Sequence, residues 1–238
     1  MSTTAHERIL AINATAPIGV QLIAALRERI MRAELPPGTR LSEQEIASAY
    51  GMSRQPVREA FIRLAAERLV EIRPQRGTFV LKIDIGEVEI SRFVREAVEA
   101  DIVRLAATTA NRALADELER QIEQQASLLG GDTEAFLQLD ELFHRTLAEA
   151  AGKAGAWMHL QPIKLHMDRV RYLTASEFPR DRLVRQHRQI AGAVAAGDAR
   201  AAELAMRTHL GGVLDDLPRI VAAQPEFFER GPDVPGRH

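Results

Sequence analysis

Apolar residues recur at helical spacing from Pro17 to Ala33. Val20, Ile23, Ala24, Ile30 and Met31 share one face, widened by Leu22 and Leu26, and this predicts a first helix. Leu35-Pro36-Pro37-Gly38 stops it. Ser42-Glu43-Gln44-Glu45 places Ser at a cap and Glu three residues on, a capping box that starts a short helix ending at Tyr50. Gly51 supplies a tight turn, and Ser53 caps a third helix with Pro56 in its first turn, where a missing N–H costs nothing. Val57, Ala60, Phe61, Leu64 and Ala65 run i, i+3, i+4, i+7, i+8 along that helix, which is expected to reach about Arg68. Arg54, Gln55 and Arg58 point away from this stripe. The pattern then changes to two short β-branched runs, Leu69 to Arg73 and Thr78 to Lys82, joined by Pro74-Gln75-Arg76-Gly77, which predicts a hairpin. Three helices and a hairpin make a winged helix-turn-helix, expected over residues 10–83.

Ile83 to Glu87 reads as a short linker. Helical pattern fills the rest of the chain, in segments near 88–110, 113–129, 133–151, 155–174, 180–196 and 199–217. The breaks are Gly130-Gly131-Asp132, Gly152, Glu177-Phe178-Pro179 and Gly197-Asp198. Pro162 should kink or break the fourth segment, and Pro218 should end the last. A flexible tail is expected over 224–238, where Pro and Gly recur. The fold class is therefore mainly α: the winged helix-turn-helix, then an all-α antiparallel helical bundle over 88–222.

Composition narrows the chemistry. Aromatics are only 5% of the 238 residues, so the core must be built from aliphatic side chains. There is no cysteine, which excludes disulfides, thiolate zinc sites and cysteine nucleophiles. No apolar run approaches a membrane span, and Met1 to Ala14 lacks a secretory pattern, so a cytoplasmic protein with no membrane partner is expected. The net charge of -2 conceals a split: residues 1–85 carry 12 basic and 9 acidic side chains, while the remainder carries 19 and 24. A basic module is attached to an acidic one.

The basic module has the parts that groove readout needs. Arg bonds guanine in bidentate fashion and Gln can do the same to adenine, so Arg54, Gln55 and Arg58 suit the major groove. The helix from Ser42 would then cross the phosphates, and Arg76-Gly77 would form the tip of a wing. A solvated basic helix face is the plainer alternative.

In the acidic module, Asp140 and His144 stand four residues apart and share a helix face. They can bind one cation or pair with each other. His187 lies about ten residues before the Gly197-Asp198 turn and His209 about eleven after it, so on antiparallel helices they reach similar heights. With Asp140 and His144 they would form a site of three imidazoles and one carboxylate inside a bundle. The alternative is four separately hydrogen-bonded side chains. His159 and His166 read as structural.

Two stretches resemble a known family. Gly38-Thr39-Arg40-Leu41-Ser42-Glu43-Gln44-Glu45-Ile46-Ala47, Gly51-Met52-Ser53-Arg54-Gln55-Pro56-Val57-Arg58-Glu59-Ala60, Arg63-Leu64 and Pro74-Gln75-Arg76-Gly77-Thr78-Phe79-Val80 are similar to the N-terminal module of GntR-family transcription regulators. That resemblance implies operator contacts from Ser53, Arg54, Gln55, Arg58, Arg76 and Gly77. Asp140…Phe143-His144, Gln186-His187…Ile190…Gly197-Asp198…Ala202…Met206…His209-Leu210 resemble the FCD ligand domain of the FadR branch. Many such domains hold a divalent metal, and the resemblance implies Asp140, His144, His187 and His209 as its ligands. It also implies that Arg95 meets an acidic effector, against the alternative of a salt pair with Glu99. Lys153 departs from the family's usual Asn, at a helix start.

Nitrogen and oxygen donors without thiolate suit one divalent metal per chain, Zn, Ni, Mn or Fe. The resulting expectation is a homodimeric regulator, a repressor rather than an enzyme. It would bind a palindromic double-stranded DNA operator under control of a small carboxylic acid. A regulator with a purely structural metal is the first alternative. A metal-dependent hydrolase is the second, although no H-E-x-x-H or similar general-base motif is present.

Overall fold

The computed structural model describes residues 17–174 and 180–229. The expectations for Met1 to Ala14, for the break at Glu177-Phe178-Pro179 and for the tail beyond Glu229 lie outside the described residues. The chain divides into two compact units. One holds the chain up to Ile85 together with Asp168–Leu173 and the segment from Ala223 onward. The other holds Gly86–Met167 and Thr174–Ala222.

In the first unit, α1 (Ile18–Met31) and α2 (Glu43–Ala49) both pack on α3 (Arg54–Ala66). Leu22, Leu26, Ile30, Val57, Phe61 and Leu64 are buried together on their facing sides. The α3 stripe is as predicted, but on α1 the buried face centres on Leu22, Ala25 and Leu26, and Val20 and Ala24 of the predicted stripe are exposed. The Ser42 hydroxyl accepts from the Glu45 N–H at 3.3 Å, forming the expected cap. Gly51 takes a φ of +63° in the turn before α3, a conformation that glycine adopts without strain. Ser53 occupies the cap position of α3, yet its side chain makes no capping bond. The reason is local: Pro56 stands at the third helical position and has no N–H to give.

The hairpin is present as β2 (Val70–Arg73) and β3 (Gly77–Val80), paired antiparallel with Ile72 opposite Thr78. A further strand, β1 (Arg40–Leu41), pairs with the other edge of β3, giving the order β1-β3-β2. Two residues carry no alternation, which is why the pattern misses this strand.

The linker and the tail require correction. Ile83–Asp84 forms β4, which pairs in parallel with β5 (Phe228–Glu229). The described part of the tail, 224–229, is thus a 3₁₀ turn and a strand rather than a loose end. Ile83 and Phe228 are both buried there, so apolar burial outweighs the local Pro and Gly content. Arg169 adds a clamp: its guanidinium donates to the carbonyls of Leu81 at 2.8 Å and Lys82 at 3.3 Å. Burial lowers the pKa of this guanidinium to about 10, against the pull of Glu229, so it keeps its charge at neutral pH.

The second unit is helical. Its elements are α4 (Ile85–Thr108), α5 (Arg112–Ser127), α6 (Thr133–Ala150), α7 (Ala154–Leu160), α8 (Leu165–Leu173), α9 (Arg180–Ala195) and α10 (Ala199–Ala223), although Ile85, Asp168–Leu173 and Ala223 belong to the first unit. Helix α5 packs against α6 and α9 over a core that includes Leu118, Ile122, Phe136, Phe143, Ile190 and Met206. Asn111, Asp132 and Asp198 cap α5, α6 and α10 through their side-chain oxygens. Lys153, the departure from the family pattern, precedes α7 without a side-chain cap. Pro162 breaks the fourth segment into α7 and α8, as expected. Pro218 does not end α10, which continues to Ala223. A proline forfeits one backbone bond, and burial of Leu217 and Ile220 on either side offsets that loss.

Candidate metal centre and nucleic-acid interface

Three helices of the second unit bring the predicted cluster together. Asp140 and His144 come from α6, His187 from α9 and His209 from α10, and one donor atom of each lies within 4.8 Å of every other. All four are buried, between 0% and 7% exposed. His144 Nε2 and His209 Nε2 are 3.2 Å apart, and His187 Nε2 is 3.6 Å from Asp140 Oδ1. Ligand atoms about 2.0–2.2 Å from one ion stand roughly 3–4 Å from each other, so these separations suit a shared cation. Phe143 stacks on His187 with ring centroids 4.2 Å apart, and Trp157 lies parallel to His144 at 6.1 Å.

The Nδ1 sides of the rings are held by a second set of residues. Glu99 Oε2 lies 2.6 Å from His144 Nδ1, and Gln125 Oε1 lies 2.7 Å from His187 Nδ1. Gln186 Oε1 is 3.2 Å from His209 Nδ1. Gln125 donates its amide to the Leu139 carbonyl at 3.1 Å, which fixes its oxygen toward His187. His187 therefore donates from Nδ1 and turns the Nε2 lone pair toward Asp140. This is the arrangement that metal-ligating histidines adopt, so the residues present fit a divalent ion.

Glu99 is ionised. Burial alone would raise its carboxyl, but Arg95 and His144 outweigh that and hold it at about 2. Arg95 itself is buried, with Nε donating to Glu99 Oε1 at 2.5 Å. The salt pair with Glu99 is thus present, and it is internal rather than on the surface. His159 is exposed and His166 is buried, and neither joins the cluster. Sequence reasoning missed Glu99, Gln125 and Gln186 as partners of the histidines. The Arg95–Glu99 spacing is visible in the sequence, but the His144 contact joins α4 to α6 across 45 positions and leaves no local signal.

On the first unit, Ser53, Arg54, Gln55, Arg58 and Arg76 are all exposed. Arg54 donates to Glu43 Oε2 on α2 at 2.8 Å, and Gln55 donates to Glu59 Oε1 at 3.0 Å. Gly77 has a φ of +112°, and a Cβ there would lie 2.9 Å from Arg40 Nε. Its backbone conformation calls for glycine at the wing, and a larger residue would also push the flexible Arg40 side chain aside. No helix among the described residues is long and apolar enough to cross a membrane.

Comparison with known proteins places both units. Residues 19–80 match the family described as "Bacterial regulatory proteins, gntR family", and residues 91–212 match the FCD domain. The chain is 36% identical over 219 residues to the HTH-type transcriptional repressor RspR of Escherichia coli strain K12, covering 91% of this chain and 96% of that protein. The chain belongs to the GntR family. It is a DNA-binding transcriptional regulator with an FCD domain, and its relatives are regulators rather than enzymes. A probable D-xylose utilization operon transcriptional repressor of Paenarthrobacter nicotinovorans is 32% identical over 78% of this chain and 82% of its own length. A solved putative GntR regulator from Rhodococcus sp. RHA1 superposes with a TM-score of 0.67 at 26% identity, over 86% of this chain and 98% of that one. The GntR fold therefore carries the winged helix, and the FCD fold carries the buried cluster.

Proposed function

We propose that this GntR regulator is a cytoplasmic, homodimeric repressor whose grip on a palindromic operator is set by a small carboxylic acid. The acid would bind at one divalent ion per chain, held by Asp140, His144, His187 and His209. The observation that carries this reading is the cluster itself, four donors buried within 4.8 Å of one another. When bound, the ion would supply a coordination site for an acid's carboxylate, and Arg95 places a buried positive charge on Glu99, the neighbour of His144. The ion could be Zn, Ni, Mn or Fe, since all accept nitrogen and oxygen donors.

DNA contacts are assigned to Ser53, Arg54, Gln55 and Arg58 at the start of α3 and to Arg76 and Gly77 at the wing, within a DNA-binding domain over 10–83. The ligand domain is assigned to 88–222. One recognition helix reads too few base pairs alone, so two-fold symmetry is needed to double the site. Ile90 and Phe93, exposed at 42% and 66% on α4, offer apolar surface for a second copy. Repression rather than activation is supported by the names of two relatives.

A second reading, an ion that only staples the bundle, is favoured by one observation. The ligands are almost wholly buried and Arg95 is already engaged by Glu99. Metal analysis of the purified protein before and after chelation decides the first point, with one ion per chain expected. His187→Ala with His209→Ala should abolish uptake, and full metal content in that variant would overturn the ligand assignment. A screen of small carboxylic acids by operator titration then separates sensor from staple. A change in DNA affinity that requires the metal supports the sensor.

A further inference from the structure

The carboxylate of Glu99 is engaged on both sides inside the second unit, by a hydrogen bond on one and a close ion-pair contact on the other. Oε1 accepts from Arg95 Nε at 2.5 Å, and Oε2 stands 2.6 Å from His144 Nδ1. Glu99 and Arg95 are each 2% exposed, so neither contact is traded freely with water. A carboxylate only accepts, so His144 carries a proton on Nδ1, and in its neutral form, the one that can ligate, it aims the Nε2 lone pair into the four-donor cluster. At His187 the same task falls to an amide, Gln125. An amide suffices there because its NH₂ has an acceptor of its own, the Leu139 carbonyl.

At His144 the neighbour is a donor. The Arg95 guanidinium has N–H groups only and keeps its proton in proteins. It claims one acceptor oxygen permanently, and His144 needs another. We propose that Glu99 is a positioning residue that fixes the His144 tautomer, and that Arg95 is what makes a carboxylate obligatory at this position. The metal role of His144 rests on the function proposed above; the tautomer assignment does not.

The consequence is unusual for an isosteric change. In Glu99→Gln the single amide oxygen goes to Arg95, and the NH₂ is left facing His144 Nδ1. The imidazole then moves its proton to Nε2 and presents an N–H where a ligand lone pair should be. Removing the competing donor reverses this. In Arg95→Met/Glu99→Gln the amide oxygen is released to accept from Nδ1. That double variant also removes a buried ion pair as a whole, an exchange that proteins often tolerate, so it is expected to fold.

Long-range ¹H–¹⁵N spectra of the full chain, labelled at histidine and free of metal, report which ring nitrogen bears the proton. They should show Nδ1–H for His144 in the parent protein, Nε2–H in E99Q, and Nδ1–H again in the double variant. Zinc titrations should follow the same order. E99Q is expected to bind about 10–100-fold more weakly than the parent, and the double variant about as well as the parent. An E99Q protein that keeps Nδ1–H on His144 and binds zinc like the parent overturns the proposal. A parent protein that takes up no zinc while its tautomers behave as stated overturns the metal reading instead.

Discussion

At the scale of single residues, the proposed DNA-reading face is partly occupied by its own carboxylates. Glu43 holds Arg54 and Glu59 holds Gln55, so on the proposed assignment both side chains would have to exchange partners to meet bases. Arg58 carries the expected readout with least rearrangement. Arg58→Ala should cost on the order of 1–3 kcal/mol at the operator, measured by anisotropy titration at fixed salt; an unchanged affinity would remove it from the interface. At the buried cluster, two pH limbs should separate. Metal affinity should fall below about pH 6, because imidazole must be neutral to ligate. Glu99 acts lower: its folded pKa of about 2 lies beneath the ordinary value of 4.5. Its contribution to stability is therefore complete above that ordinary value and is lost as pH falls through about 2. Acid unfolding of the metal-free protein should be shallower in Arg95→Met/Glu99→Gln, as followed by circular dichroism between about pH 5 and 2. Asp140 and His144 were legible because four residues on a helix make one face. Glu99 was not, because its partner lies on another helix.

At the scale of elements, helix starts were the most readable feature. Ser42 announces itself by residue type and accepts from the backbone as expected, and Asp198, placed at a break, does the same at the start of α10. Ser53 shows the limit of such reading, since the proline three residues later removes a donor the cap would use. The elements missed are the two-residue strands β1, β4 and β5, which are too short for any period and exist through their partners. Arg169 belongs to the same class of feature. It satisfies two carbonyls 87 and 88 positions away, and no local pattern points to them. Arg169→Met should destabilise the first unit by about 1–3 kcal/mol in urea unfolding, because buried acceptors lose their donor. Arg169→Lys should recover only part of this, since one ammonium cannot reproduce the fork. Equal stability of all three proteins would show that the clamp contributes nothing.

At the scale of the whole molecule, the two domains read from sequence are not two consecutive beads. The first unit takes in Asp168–Leu173 and the segment from Ala223 onward, so the chain passes between units inside α8 and at the end of α10. The segment after the wing is held by both insertions: Leu81 and Lys82 by Arg169 of α8, and β4 by β5, which comes after α10. Helix α10 also carries His209. A ligand that altered the cluster would therefore act on chain that is covalently continuous with the clamp on the wing's exit. If the metal pocket senses an acid, the coupling should be about 1–3 kcal/mol, or roughly 5–150-fold in operator affinity. Operator DNA must then change acid affinity by the same factor. Arg169→Met tests the route: it should leave zinc and acid binding intact while reducing the acid's effect on DNA affinity. An undiminished effect in that variant would mean that the signal travels by another path.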